Sequence, residues 1–102
     1  MKDIVNQIRS VATFCGLEIE SITPKKNFVL LDLKSRGRFR KKNFHMGVSK
    51  SLTGILAAER ELSREFKSNI VILDPVNNLP QPTFNNITLF HDLDSLQDFF
   101  NE

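Results

Sequence analysis

The stretch Phe28-Val-Leu-Leu-Asp-Leu33 is apolar at every position except Asp32. This pattern is typical of a strand buried on both faces, because alternate side chains of a strand point to opposite faces of the sheet. Residues 69–74, Asn-Ile-Val-Ile-Leu-Asp, have a similar pattern and stop before Pro75. Two such strands predict a central sheet with helices packed on it.

The chain before Phe28 predicts one helix and one strand. Apolar residues recur every three or four positions over residues 3–15, which indicates a helix. We expect Asp3 to cap its N-terminus and Gly16 to follow its C-terminus, where glycine readily adopts a left-handed conformation. Residues 17–23 then alternate in polarity as a half-buried strand does, and residues 24–27 form a turn.

After Leu33 the sequence predicts a further strand over residues 38–48. Phe44, Met46 and Val48 share one face, and a bulge near residues 41–42 would bring Phe39 onto it. A helix over residues 52–66 follows, capped by Ser49 or Ser51. Its predicted apolar stripe consists of Leu52, Ile55, Leu56, Leu62 and Phe66.

The end of the chain predicts a short strand over residues 87–90 and a final helix. Asp94 is the expected N-cap, with Gln97 three residues later as in a capping box. The fold class is therefore α+β, with a mixed or antiparallel sheet of four or five strands and about three helices. We expect residues 1–102 to form a single domain.

Several functional classes lack support in the sequence. The 102 residues include one cysteine, Cys15, which we expect to be a small buried thiol in a reducing, cytoplasmic setting. No apolar run reaches the ~18 residues of a membrane span, so no membrane partner is expected. His45 and His91 lie far apart, and no glycine-rich phosphate loop is present. We therefore expect no metal, no cofactor and no catalytic residues.

The charge distribution is the most informative feature. Residues 25–50 contain nine Lys/Arg residues and one acid, a net charge of +8, whereas residues 68–102 contain five acids and no Lys or Arg. Six of the cations fall within residues 34–42, next to aromatic side chains. Cations that follow phosphates and rings that stack on bases are what nucleic-acid binding requires. The predicted DNA- or RNA-binding residues are Lys34, Arg36, Arg38, Phe39, Arg40, Lys41, Lys42 and His45.

Other interpretations of the basic segment remain open. Lys and Arg on an edge strand prevent edge-to-edge aggregation, so the segment could be a solvated edge. It could also dock onto an acidic protein, or the basic and acidic regions of two copies could meet in a homodimer. In these cases the protein is a regulatory or protein-interaction module.

Asp32-Leu33-Lys34 and the predicted element order resemble the restriction-endonuclease and Holliday-junction-resolvase superfamily. Residues 28–37 are similar to its catalytic strand, which carries an acid-x-lysine motif. The resemblance implies a metal-dependent nuclease, in which Asp32 would hold Mg²⁺. The second acid that this family takes from a preceding strand has only Glu18 and Glu20 as counterparts. If Asp32 is structural instead, we expect it to pair with a nearby Arg or Lys.

Residues 49–74 and 87–100 resemble the latter half of STAS domains of the anti-sigma-factor antagonist type. Ser49 or Ser51 would then occupy the position of the regulatory serine. Gly47 and Val48 stand where that family usually has an aspartate before the serine. This resemblance implies a regulatory module.

Overall fold

The computed structural model describes residues 2–37 and 42–102. The chain forms three helices and five strands, in the predicted order. They are α1 (Lys2–Phe14), β1 (Leu17–Pro24), β2 (Val29–Ser35), β3 (Asn43–Val48), α2 (Leu52–Glu65), β4 (Ile70–Leu73), β5 (Ile87–Phe90) and α3 (Leu93–Phe100). The α+β class and the mixed five-stranded sheet are confirmed.

The strands lie in the sheet in their chain order, β1-β2-β3-β4-β5. β2 is antiparallel to both β1 and β3, whereas β3, β4 and β5 run parallel to one another. The β1–β2 register shifts between Ile19 and Ser21, which leaves Glu20 in a bulge. A bulge was predicted near residues 41–42, but residue 41 lies outside the described part of the chain.

Both faces of the sheet are buried, as the patterns of β2 and β4 predict. On one face, Leu31, Leu33 and the predicted set of Phe44, Met46 and Val48 pack with α1 and α3. On the other face the strands contribute Phe28, Leu30, Ile70, Ile72 and Ile87, which pack against α2. All four residues of β4 are buried. Each face buries a continuous apolar layer, which supplies most of the folding free energy.

The first helix ends as predicted but begins differently. Gly16 has a φ of 78°, the left-handed conformation expected after a helix C-terminus. Asp3 is inside the first turn and is not the N-cap, because α1 already includes Lys2. Cys15 is half-buried against the core, and burial raises the pKa of its thiol.

The predicted apolar stripe of α2 is partly wrong. Leu52 and Leu56 are exposed, and Ala58 and Glu59 are buried instead. The helix packs on the sheet through one side and on residues 75–86 through another. Glu59 faces those residues, and one of its carboxylate oxygens accepts a 3.2 Å hydrogen bond from the Thr83 N–H. The other carboxylate oxygen, Glu59 Oε2, is buried and has no hydrogen-bond partner among the described residues.

Gly47 allows α2 to approach the sheet closely. A Cβ atom at this position would lie 2.9 Å from Ala58 Cβ and 3.0 Å from Ile72 Cδ1. Any larger residue would push the helix away from β3.

The N-cap of α3 is Asp92, and the prediction of Asp94 is wrong. Asp92 has the extended backbone of a cap residue, and its Oδ1 accepts a 2.7 Å hydrogen bond from the Ser95 N–H. Asp94 instead lies in the first helical turn, where a carboxylate interacts favourably with the helix dipole. The hydrogen bond from the Ser95 backbone is the main cause that lowers the pKa of Asp92.

The cap of α3 predicts a specific pH dependence. Because the pKa of Asp92 is lower in the folded chain than in the unfolded chain, its contribution is complete above the unfolded value of about 3.9. That contribution is lost as the pH falls through the folded value. Urea unfolding at several pH values should show Asp92→Ala less stable than wild type at neutral pH, with the difference vanishing in acid. A difference independent of pH would contradict this role of the carboxylate.

Within residues 2–37 and 42–102, no helix has both the length and the apolar character needed to cross a bilayer.

Candidate nucleic-acid interface

The fold divides the basic stretch between two ends of the sheet. The turn before β2 and the residues after β3, which include Lys26 and Lys50, lie together at one end. Residues 34–37 and 42–45 lie at the other end, where β2 leaves the sheet and β3 enters it; we call this the hairpin end. The two ends are about 20 Å apart, the length of a strand of six residues. The described cations of residues 25–50 therefore form two separate groups.

Backbone contacts fix the root of the β2–β3 hairpin. The Ser35 N–H donates to the Lys42 carbonyl at 2.9 Å, and the Lys42 N–H donates to Ser35 Oγ at 3.1 Å. The Arg36 N–H donates to the carbonyl of Gly16, which ties the hairpin to the α1–β1 turn. Both ends of the segment that holds the basic residues are thus anchored to the sheet.

The described cations of the hairpin end are in contact with acidic or carbonyl groups. Lys34 Nζ lies 3.5 Å from Glu18 Oε1 and 3.7 Å from Glu20 Oε1, and Arg36 Nε lies 3.9 Å from Glu18 Oε2. Lys42 Nζ donates to the Glu102 carbonyl oxygen at 2.8 Å. These pairs are largely exposed, so each contributes little to stability, but they offset the local positive charge.

The structure describes four of the eight predicted nucleic-acid-binding residues. Lys34, Arg36, Lys42 and His45 lie at or beside the hairpin end. Arg38, Phe39, Arg40 and Lys41, and with them the first part of the predicted strand over residues 38–48, lie outside the described residues. β3 begins at Asn43.

The sequence did not predict the polar contacts of Asp32. Asp32 Oδ1 lies 2.8 Å from His45 Nδ1, across the β2–β3 pair, and Asp32 Oδ2 accepts a 2.8 Å hydrogen bond from the Ser21 hydroxyl. Among the described residues, Asp32 thus pairs with His45 and Ser21 and not with the expected Arg or Lys. An ionised carboxylate only accepts hydrogen bonds, so a hydrogen bond to ionised Asp32 places a proton on His45 Nδ1.

Phe66, which follows α2, contacts the Asp32–His45 pair from the side of the sheet that carries α2. It is the C-cap residue of α2 and has an extended backbone, and its side chain packs against the buried cluster that contains Leu62, as the predicted stripe requires. Its ring stacks on the His45 imidazole, with 3.6 Å between centroids and 7° between planes. About 27% of the His45 side chain remains exposed.

An open pocket of about 420 Å³ lies beside this ring stack. We call it the hairpin pocket; it is lined by Glu20, Ser21, Asp32, Leu33, Asn43, Phe44, His45 and Phe66. The pocket lies on the face of the sheet that carries α2, beyond the end of that helix.

The acid-x-lysine motif lacks the surroundings that metal chemistry needs. Asp32 is bonded to His45 and Ser21, and Lys34 faces Glu18 and Glu20. Across the described ranges, no three His, Cys, Asp or Glu side chains are arranged to hold a metal ion. The part of the chain that is described thus gives the nuclease interpretation no metal site.

The two serines before α2 have different roles. Ser51 is the N-cap, and its hydroxyl accepts a hydrogen bond from the Gly54 N–H. Ser49 is buried, donates to the Asn27 carbonyl and accepts from the Ser51 N–H. Of the two positions suggested by the STAS resemblance, only Ser51 is exposed.

Comparison with known proteins finds no relative: no family model matches the chain, and no significant match is found among curated proteins or solved structures.

Proposed function

We propose that this is a non-enzymatic nucleic-acid-binding protein whose phosphate contacts come from residues 34–45. The observation that carries the proposal is the concentration of six cations within residues 34–42, between two strands whose ends are fixed to the sheet. Anchored ends limit the ordering cost of binding, and clustered cations release counterions from a phosphate backbone.

The ion pairs refine which cations matter. The carboxylates of Glu18 and Glu20 offset Lys34 and Arg36. We therefore assign the main phosphate contacts to Arg38, Arg40 and Lys41, with Lys42 beside them. Arginine suits this role because its planar guanidinium bridges two phosphate oxygens.

A pair of charge-matched triple variants tests the proposal. The hairpin variant replaces Arg38, Arg40 and Lys41 by Ala. The control variant replaces Lys2, Lys26 and Lys50, three exposed cations at the opposite end of the sheet. Both lose three positive charges, so only the position of the lost charge differs.

Fluorescence anisotropy with a labelled single-stranded oligonucleotide gives the readout, with circular dichroism to confirm folding. We expect the hairpin variant to bind at least about tenfold more weakly than wild type, and the control variant to bind nearly as well as wild type. Equal losses in the two variants would show that binding follows net charge only, which would overturn the assignment to residues 34–45.

The alternative of an acidic protein partner, or of a second copy of the chain, uses the same cations. Sedimentation at low and high salt, with and without oligonucleotide, separates these functions. Self-association at low salt without oligonucleotide binding would favour the interaction module over the proposed function.

A further inference from the structure

We propose that the hairpin pocket binds one unpaired guanine base of a single-stranded nucleic acid. This inference rests on the proposed function and adds a base preference to it. The phosphates would follow the cations of residues 34–42, and one base would turn into the pocket at the root of the same hairpin. At about 420 Å³, the pocket is within the range of small-molecule sites, ~300–1,000 Å³.

Hydrogen-bond acceptors dominate the polar lining of the pocket. Asp32 receives one hydrogen bond at each carboxylate oxygen, from His45 and from Ser21, and each oxygen keeps a second lone pair. The exposed carboxylate of Glu20 adds further acceptors, and His45 Nε2 is an acceptor when the ring is neutral. A ligand that fits this lining must supply donors.

Guanine is the base with the matching edge. Its N1–H and N2–H₂ groups are adjacent donors in one plane, and together they match the two oxygens of a carboxylate. Adenine and cytosine present an amino group beside an acceptor nitrogen, and thymine and uracil present one N–H between two carbonyls. In a duplex these N1–H and N2–H₂ donors are paired with the opposite base, so the pocket requires an unpaired guanine. Sequence-specific recognition of single strands likewise uses base edges that are not paired.

Aromatic stacking favours a flat ligand at the same place. His45 and Phe66 already form a stacked pair whose planes differ by 7°. His45 is held in this orientation by Asp32, so a base that joins the stack does not have to order the ring. Stacking of bases on aromatic side chains contributes to affinity for every base, whereas the carboxylates supply the discrimination.

Neighbouring cations reduce the repulsion between the acidic pocket and the phosphates of a bound strand. Lys34 Nζ lies within 4 Å of Glu18 and of Glu20, and Glu20 is one of the two carboxylates that line the pocket. Asp32 is only about 30% exposed and is bonded to two donors. The backbone can therefore approach the cations while the base meets the carboxylate.

The test compares oligothymidylate with the same strand in which one central thymine is replaced by guanine. We expect wild type to bind the guanine-containing strand about tenfold more tightly. Asp32→Asn presents an amide N–H₂ to the donors of guanine, so it should abolish this preference, measured as the ratio of the two affinities. Asp98→Asn, the same substitution at an exposed site on α3, should retain the preference.

A second variant keeps the test decisive if Asp32→Asn unfolds. Glu20→Gln alters an exposed residue of the bulge and should weaken the preference for guanine without affecting folding. Guanosine monophosphate should also shift the His45 NMR signals more than the other three nucleotides do.

The outcomes distinguish the pocket from the proposed function. Binding of both strands with equal affinity would overturn the guanine pocket and leave the proposed function intact. Perturbation of His45 by guanosine monophosphate without oligonucleotide binding would support the pocket and contradict the proposed function.

Discussion

Gly54→Ala should destabilise the protein by about 3 kcal/mol, although alanine is the better helix former. A Cβ atom at this position would collide with Ser49 Oγ, Ser49 Cβ and the Asn27 carbonyl oxygen. Ser49 Oγ donates to the Asn27 carbonyl and accepts from the Ser51 N–H at the start of α2, so Ser49 cannot move without losing those bonds. For a domain of this size, the loss lowers the Tm by roughly 12–20 °C.

Thr53→Ala is the matched control, since Thr53 is the exposed neighbour of Gly54 in the first turn of α2. Its effect on the Tm should be small. A thermal scan that finds Gly54→Ala as stable as wild type, or more stable, would show that helix propensity outweighs the collision and that this packing is wrong.

Asp74→Ala should cost about 4 kcal/mol in the free energy of unfolding. Asp74 is fully buried after β4, and its carboxylate accepts from the backbone N–H groups of Val76, Asn78 and Leu79, at 2.8 to 3.2 Å. Alanine would remove the acceptor for all three donors. The turn that begins residues 75–86 would lose its main organising contact.

Urea unfolding measures this effect, with Asp98→Ala as the control because Asp98 is exposed on α3. Asp74→Asn should also destabilise, because its amide N–H₂ would face backbone donors. A loss below about 1 kcal/mol for Asp74→Ala, comparable to a surface substitution, would contradict the role of Asp74.

Alternation and helical periodicity were sufficient to predict the architecture. Residues 28–33 and β4 are largely buried because nearly every residue in them is apolar, a pattern typical of strands covered on both faces. Cap positions were less predictable. Asp92 and Asp94 are two residues apart at the start of the same helix, and only backbone geometry distinguishes the cap from the first turn.

The hairpin pocket was harder to predict because its geometry depends on the β2–β3 pairing register and on the residue at which α2 ends. Asp32 and His45 face each other only in the observed β2–β3 register, and the strand predicted over residues 38–48 did not fix that register. The position of Phe66 depends on where α2 stops, and periodicity extended that helix by one residue too many. The ion pairs of Lys34 and Arg36 with Glu18 also depend on the β1–β2 register, which the bulge at Glu20 shifts.

The salt dependence of oligonucleotide binding tests the central claim most directly. For a single strand, each phosphate contact contributes about −0.7 to the slope of log K against log [salt]. The triple replacement of Arg38, Arg40 and Lys41 should therefore make the slope shallower by about 2, whereas the triple replacement of Lys2, Lys26 and Lys50 should leave it as in wild type. The same slope in all three proteins would contradict phosphate binding by residues 34–45.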